Sequence, residues 1–397
     1  MSFHPPESVG SLELEEGEYL MYPNDVKYNP ETHVYLPETI VARLRGQNMM
    51  TYTLVKNNKV DAGGLGSVFR YDSEKNESSL ALKQTNIFTT DDSGPNHSHH
   101  VTESRAPRRL LETASPCRDF FIETLIPHAR SVNAIAYDDE AEDPGFSYTL
   151  GEENPTDIWY ERNKPHVVET PRLDTPRLDT PRLNNFGKVW INISLFTVMH
   201  RAHDSLYARE IQYTDLETVL AFVDSAQKCL REAGYYYKDF KLDQILVLED
   251  RTLRLGDLGN LCQTNDSCEF GFFDDPELWS LNTLGKWRET KGDIGQGYGS
   301  LSVTEISRAL EWQRTVFVCE LVCAASNTLG SRKESQVYKL SPHSWGNSTA
   351  SQVAKLFDAM LLILKSSPIF KEHPCVVKAA AQLIVKKDWV VREEHSL

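Results

Sequence analysis

The chain has 397 residues, 40% of them apolar and 10% aromatic, so it can bury substantial cores and does not have the composition of a disordered polymer. Its 42 Lys and Arg against 57 Asp and Glu leave a formal net charge of −15, which disfavours direct nucleic-acid binding, because such binders need basic surface to neutralise phosphates. No run of about 18 uninterrupted apolar residues occurs, so no membrane span is expected, and the N-terminal residues lack the basic start and apolar stretch of a secretory signal.

The cysteines are Cys117, Cys229, Cys262, Cys268, Cys319, Cys323 and Cys375. Their odd number and the absence of a C-x-x-C pair point to reduced thiols in an intracellular protein, cytoplasmic or nuclear, rather than to a disulfide framework or a zinc site. Cys319 and Cys323 are four apart in an apolar stretch, the spacing of one face of a buried helix.

In chain order, residues 1 to about 47 carry several prolines and the acidic cluster Glu13, Glu15, Glu16 and Glu18, and read as a loosely ordered extension. Residues 50–85 alternate as strands do. Residues 86–108 are polar and read as a solvated loop, His97, His99 and His100 included. RLLETASPCRDFFIETL, residues 109–125, reads as a helix interrupted at Pro116, and VNAIAY as a short strand. A polar stretch over about 138–187 contains the period-five repeat Thr170-Pro-Arg-Leu-Asp, Thr175-Pro-Arg-Leu-Asp, Thr180-Pro-Arg-Leu-Asn. Proline at every fifth position removes the N–H donors that a helix or central strand needs, so a flexible insertion is expected. VWINISLFTVM has strand composition. TDLETVLAFVDSAQKCLREAG places Leu216, Val219, Leu220, Val223, Ala226 and Leu230 on one helical stripe and stops at Gly234. ILVLED and LRLGD read as two strands around Arg251, and from about 300 the chain is mostly helical. Strands first and helices after argue for an α+β protein.

Four clusters carry chemistry. Asp61-Ala-Gly-Gly-Leu-Gly-Ser-Val68 lies between strand-like runs; its glycines let backbone approach a phosphate, although a plain hairpin turn has the same composition. Leu80-Ala-Leu-Lys83 ends an apolar strand in a lysine fifteen residues after Val68. Tyr237-Lys-Asp-Phe-Lys-Leu-Asp-Gln244 follows the amphipathic helix. Asp239 and Lys241 in it, two apart in extended chain, point the same way: the aspartate would take a hydroxyl proton while the lysine neutralises a moving phosphoryl group. Leu255-Gly-Asp257-Leu-Gly259 offers a carboxylate metal ligand on a movable segment, eighteen residues after Asp239 and thirteen after Gln244.

Together the clusters resemble the eukaryotic protein-kinase signature, over roughly residues 50–394. Asp61–Val68 resembles the glycine-rich loop, Ala81-Leu-Lys83 the V-A-I-K strand, Tyr237–Gln244 the catalytic loop and Asp257-Leu-Gly259 the D-F-G element. Asp275-Pro-Glu277 resembles A-P-E, and Asp388 to Arg392 the late D-P-x-x-R element. The resemblance implies a bilobal fold at residues 48–394: a small β-rich N-lobe over about 48–200, carrying the insertion at about 138–187, and a larger helical C-lobe over about 201–394. It also implies ATP and Mg²⁺, with Mn²⁺ as an alternative metal, and protein substrates.

The family roles transfer residue by residue. Gly63, Gly64 and Gly66 would cover the nucleotide phosphates, with Val68 and Ala81 beside the nucleotide, and Lys83 would hold the α- and β-phosphates. Asp239 would be the base, Lys241 would meet the γ-phosphate, and Asp257 and Gln244 would hold the metal. Backbone groups near His200 and Ala202 would bind adenine. The glutamate paired with Lys83 is expected at Glu123, with Glu112 as the alternative. Tyr237 replaces the family histidine and is expected to fill an apolar spine position. Asp61 and Gln244 depart from the family's glycine and asparagine at a phosphate and a metal position. Thr264 and Ser267 are candidate phosphosites. Lys241 favours Ser/Thr over tyrosine specificity. A pseudokinase acting as a nucleotide-binding or scaffolding module, and a small-molecule phosphotransferase of related fold, are the competing functions. The divergent motifs would suit a kinase of a large DNA virus, and oligomeric state is not legible.

Overall fold

A computed structural model of the chain describes residues 13–22, 25–29, 34–63, 66–74, 78–89, 115–137, 146–148, 191–264, 302–326 and 349–395. The chain forms two compact units, one of Met1–Leu111 with Ile122–Arg201, the other of Glu112–Phe121 with Ala202–Leu397.

The first unit is built on a nine-stranded sheet. In chain order its strands are β1 (Glu18–Leu20), β4 (Thr39–Arg43), β5 (Met50–Gly63), β6 (Gly66–Ser73), β7 (Ser79–Thr89), β8 (Ile126–Pro127), β9 (Ala134–Tyr137), β10 (Phe146–Tyr148) and β11 (Ile191–His200). A separate hairpin pairs β2 (Val26–Asn29) with β3 (Val34–Pro37). The sheet order is β10-β9-β11-β7-β6-β5-β4-β1-β8. Alternation along the strands sends one set of side chains inward. Register then aligns them: Phe69 faces Leu82, Tyr71 faces Leu80, and Leu82 faces Val198, all buried. Burying each such side chain contributes about 1.5–3 kcal/mol. The same alternation turns Lys83 to the other face, opposite Val68 on β6 and Thr197 on β11.

Three sequence expectations change in this unit. The described residues of 13–44 are not a loose extension. Leu14, Tyr19, Leu20, Met21, Ile40, Ala42 and Leu44 are buried, because the short period-2 runs EYL and TIVAR add β1 and β4 to the sheet. Next, residues 115–125 do not continue a helix. A 3₁₀ turn spans Ser115–Phe120, where Pro116 lacks the donor an α-helix requires. The chain then runs beside β11, with Leu125 N–H donating to Val198 O and His200 N–H to Glu123 O, both at 2.8 Å. Finally, part of the expected flexible insertion is ordered, since β10 pairs antiparallel with β9. The Thr-Pro-Arg-Leu repeat, the histidines of the 86–108 segment, Glu112, Ser267 and Glu277 lie outside the described residues.

The second unit holds β12 (Asp204–Ser205), α1 (Leu216–Glu232), β13 (Tyr235–Tyr237), β14 (Ile245–Val247), β15 (Leu253–Leu255), β16 (Leu261–Gln263), α2 (Val303–Ala325), α3 (Ala350–Ser366) and α4 (Pro374–His395). Helix α1 buries the stripe read from the sequence, Leu216 to Leu230. It is followed by Gly234 at φ 79°, a left-handed stop that glycine adopts without a Cβ clash. Helix α2 starts with a reciprocal Ser302–Glu305 capping box and buries residues nearly all round, Trp312, Phe317, Cys319 and Cys323 among them. Asp388 and Arg392 lie on α4.

The thiols correct the sequence reading. Cys117 and Cys229 form a disulfide across 112 residues, with Cα atoms 5.7 Å apart, and Cys262 is also disulfide-bonded. Cys319 and Cys323 are free and buried, as expected of a helix face. Spacing in the sequence could not disclose the first bond, because packing of the 3₁₀ turn on α1 brings its two Cβ atoms together. Disulfides persist in oxidising compartments, so these cysteines do not point to an intracellular location. Among the described residues, no helix is long and apolar enough to cross a membrane.

Candidate active site

Strand pairing in the second unit sets two loops side by side. Residues 238–244 connect β13 to β14, and residues 256–260 connect β15 to β16. Because β13 pairs with β16 and β14 with β15, the loops are stitched at both ends. Lys238 N–H donates to Asn260 O at 3.0 Å, and Gly256 N–H to Gln244 O at 2.8 Å.

On the first loop, Lys241 has extended backbone, and its Nζ lies 2.8 Å from Asp239 Oδ2 and 3.8 Å from Asp243 Oδ2. Asp239 is only 9% exposed. Among the described residues, nothing hydrogen-bonds to its buried Oδ1. Burial raises the Asp239 pKa over the opposing pull of Lys241. Burial also works against the Lys241 charge, but Asp239 and Asp243 outweigh it and hold the ammonium protonated. Asp243 is pushed up to about 6, chiefly by burial.

The second loop carries Asp257 at φ 45°, ψ 71°, in the left-handed region. A non-glycine residue there costs about 1–2 kcal/mol, and it persists only where neighbours hold it. Asn260 donates its side-chain amide to Asp257 Oδ2 at 3.2 Å and its N–H to Asp257 O at 3.1 Å. The Tyr237 hydroxyl donates to Gly256 O at 2.8 Å. Tyr237 is fully buried against the rings of Phe121 and Phe240, so it fills an apolar place and also makes a polar bond. Burial pushes its phenol well above the usual range, which keeps it a donor.

Helix α2 grips the first loop from two positions seven residues apart, hence on one face. Gln313 donates its side-chain amide to the Lys238 carbonyl. Glu320, 3% exposed, accepts from Leu242 N–H at 3.1 Å. Its pKa is pushed up to about 8, first by burial and then by the charge of Asp243. Asn260, Gln313, Glu320 and Asp243 were missed in the sequence. Asn260, three residues after Asp257, and Asp243, two after Lys241, carried a local signal. The α2 residues are separated from the loop by some 75 positions and look like ordinary helix polar residues.

The structure thus brings Asp239, Lys241, Asp243, Gln244 and Asp257 together. Thr264 sits just past them, with its hydroxyl donating to Gly234 O at 2.7 Å. In the first unit, Gly63 and Gly66 face each other across the β5–β6 hairpin, Asp61 pairs with Val68, and Ala81 lies between Arg70 and Met199; Gly64 is outside the described residues. Glu123 is not on a helix. Its carboxylate accepts from Arg45 N–H at 2.9 Å. At the end of β11 the N–H groups of His200 and Arg201 are bonded to the carbonyls of Glu123 and Ser79, and Ala202 opens the second unit. Among the described residues, no three His, Cys, Asp or Glu converge as a metal site of their own.

No protein-family model matches the sequence, and no curated protein matches it. Among solved structures the chain is similar to ROP2 from Toxoplasma gondii, described as a virulence factor with a protein-kinase fold and no enzymatic activity. That match has 13% identity and a TM-score of 0.39, covering 80% of this chain and 84% of the other. It is also similar to the ROP18 kinase domain in complex with AMP-PNP and sucrose, at 15% identity and a TM-score of 0.37, covering 88% of this chain and 87% of that one.

Proposed function

We propose that the chain is a protein kinase that transfers the γ-phosphate of ATP to Ser or Thr hydroxyls of protein substrates. The observation that carries this reading is Asp239. One of its oxygens is fixed on Lys241, and the other is buried without a hydrogen-bond partner among the described residues. A carboxylate with a raised pKa is a stronger base, and the buried oxygen is the one to accept the proton of an incoming hydroxyl. Lys241, held protonated, neutralises the charge that develops on the transferred phosphoryl group.

The donor set fits a hard divalent cation. Asp257 would supply carboxylate oxygen and Gln244 amide oxygen, both suited to Mg²⁺. When bound, the ion would neutralise phosphate charge and align the γ-phosphoryl group for transfer. Asn260 and Tyr237 orient the Asp257 segment for that task. Lys83 and the Gly63–Gly66 hairpin are assigned to the nucleotide phosphates by their resemblance to the family motifs.

A second reading, a non-catalytic nucleotide-binding or scaffolding module, is favoured by Glu123. Glu123, expected on a helix as the partner of Lys83, is not helical, and its carboxylate is engaged by a backbone amide. Transfer of radiolabelled γ-phosphate from ATP to a panel of proteins separates the two. Label should appear with the purified chain and vanish with Asp257→Asn and with Lys83→Met, both still folded. Nucleotide binding without any transfer would establish the non-catalytic reading.

A further inference from the structure

The chain leaves the first unit for ten residues, Glu112–Phe121, and this excursion is fastened into the second unit. Cys117, fully buried, is bonded to Cys229 on α1. Phe120 packs its ring on Phe222 of α1 at 5.9 Å, and Phe121 packs on Tyr237 at 6.1 Å. Phe121 also forms a parallel backbone bridge to Leu255. Leu255 directly precedes Gly256 and Asp257, and the Tyr237 hydroxyl holds the Gly256 carbonyl. The fastened segment therefore reaches the Asp257 corner twice, through the Tyr237 ring and through the Leu255 backbone. That corner is where the backbone is left-handed and depends on its neighbours to stay so.

We propose that the Cys117–Cys229 disulfide makes the site dependent on thiol oxidation, with Phe121 as the positioning residue that conveys the state of the bond to Asp257. The proposal rests on the kinase reading for its activity arm. Oxidised, the bond keeps Phe121 seated against Tyr237 and Leu255. Reduced, the excursion loses its covalent tie to α1, and Asp257 relaxes from its left-handed conformation. A dithiol reductant supplies two electrons and two protons: the S–S bond breaks, Cys117 and Cys229 become thiols, and the dithiol closes to its own disulfide. Cys229 is partly exposed and Cys117 is not, so the attacking thiolate enters from the Cys229 side.

Because Cys262 is also disulfide-bonded and a dithiol is not selective for one bond, the test uses substitutions in the full-length oxidised chain. Cys117→Ser with Cys229→Ser should lower kcat by roughly 10- to 100-fold with little change in KM, since a displacement near 1 Å is enough for such a loss. Amides over Leu255–Asn260 should exchange faster with deuterium, while those of β5–β7 do not change. Phe121→Ala, with the disulfide intact, should reproduce both effects, and combining all three substitutions should add little, as expected when one route is cut twice. Unchanged exchange over Leu255–Asn260 in Phe121→Ala overturns the proposal, as do kcat losses that simply multiply. If the serine pair does not fold, Phe121→Ala decides by exchange alone. If the oxidised wild-type chain transfers no phosphate, the kinase reading fails, and the exchange comparison still decides whether the disulfide positions Asp257.

Discussion

The sheet of the first unit and the paired loops of the second both exclude water, and they use that exclusion in opposite ways. Inside the sheet the buried side chains are apolar or internally bonded. The Tyr71 hydroxyl donates to Pro37 O at 2.8 Å, and the Tyr52 hydroxyl to Ser78 Oγ at 3.3 Å. Between the loops, Asp239 and Glu320 are buried beside Lys241, two carboxylate oxygens, Asp239 Oδ1 and Asp243 Oδ1, have no hydrogen-bond partner among the described residues, and Asp257 is left-handed. Burying charge is costly unless it is paired. The first region therefore contributes stability, whereas the second gives some up to hold groups in reactive states, the trade expected of a functional site.

The largest effect should separate the two regions outright. Asp239→Asn removes a buried charge and the base together. Phosphotransfer should fall by about 10²–10⁴-fold, with nucleotide binding retained and the thermal midpoint unchanged or raised. A parallel loss of nucleotide binding would remove Asp239 from the role of base.

Glu320 sharpens the contrast through pH. Its proton is held more tightly in the folded chain, at about 8, than at the ordinary 4.5. Its contribution to stability is thus fully present below about pH 4.5 and is lost as pH rises through about 8. Asp243, at about 6, acts in the same direction at lower pH. Glu320→Gln keeps an acceptor for Leu242 N–H and should flatten urea midpoints across this window, gaining on the wild type toward alkaline pH. A slope identical to wild type would show that Glu320 does not titrate there.

In the sheet, Leu82→Ala should cost about 2–5 kcal/mol by opening a cavity between Phe69 and Val198. Urea unfolding measures it, and a loss below about 1 kcal/mol would mean that the core repacks. Gly234→Ala should cost about 1–2 kcal/mol. Its φ of 79° is the reason, since an added Cβ meets nothing within 4 Å. The smallest effect is expected at Gln244. Gln244→Asn shortens the arm by one methylene and should raise the Mg²⁺-supported rate a few-fold, while Gln244→Ala lowers it and Mn²⁺ partly rescues the wild type. Equal initial rates for the three proteins with both metals would take Gln244 out of the metal site.

Local pattern carried much of this molecule. The buried stripe of α1, the strand β11, the two strands around Arg251 and the face bearing Cys319 and Cys323 all follow from period and composition, because each is decided by neighbours within a few residues. The extended Asp239-Phe-Lys241 spacing likewise puts a carboxylate and an ammonium on the same side, and the structure joins them at 2.8 Å. The short strands β1 and β4 were not legible, since three to five residues with prolines nearby do not declare a partner until a sheet is there to receive them.

By itself the sequence determined which residues line the two loops and the chemistry they can offer: a base, a cation beside it and a carboxylate in a glycine-flanked turn. Tertiary structure alone decided their state. Only the pairing of β13 with β16 and β14 with β15 lays the loops together, only α2 brings Gln313 and Glu320 under them, and only the packing of the 115–120 turn on α1 joins Cys117 to Cys229. Burial, pKa and disulfide geometry depend on atoms that approach from far along the chain, and a local pattern holds no record of distances between residues 75 to 112 positions apart.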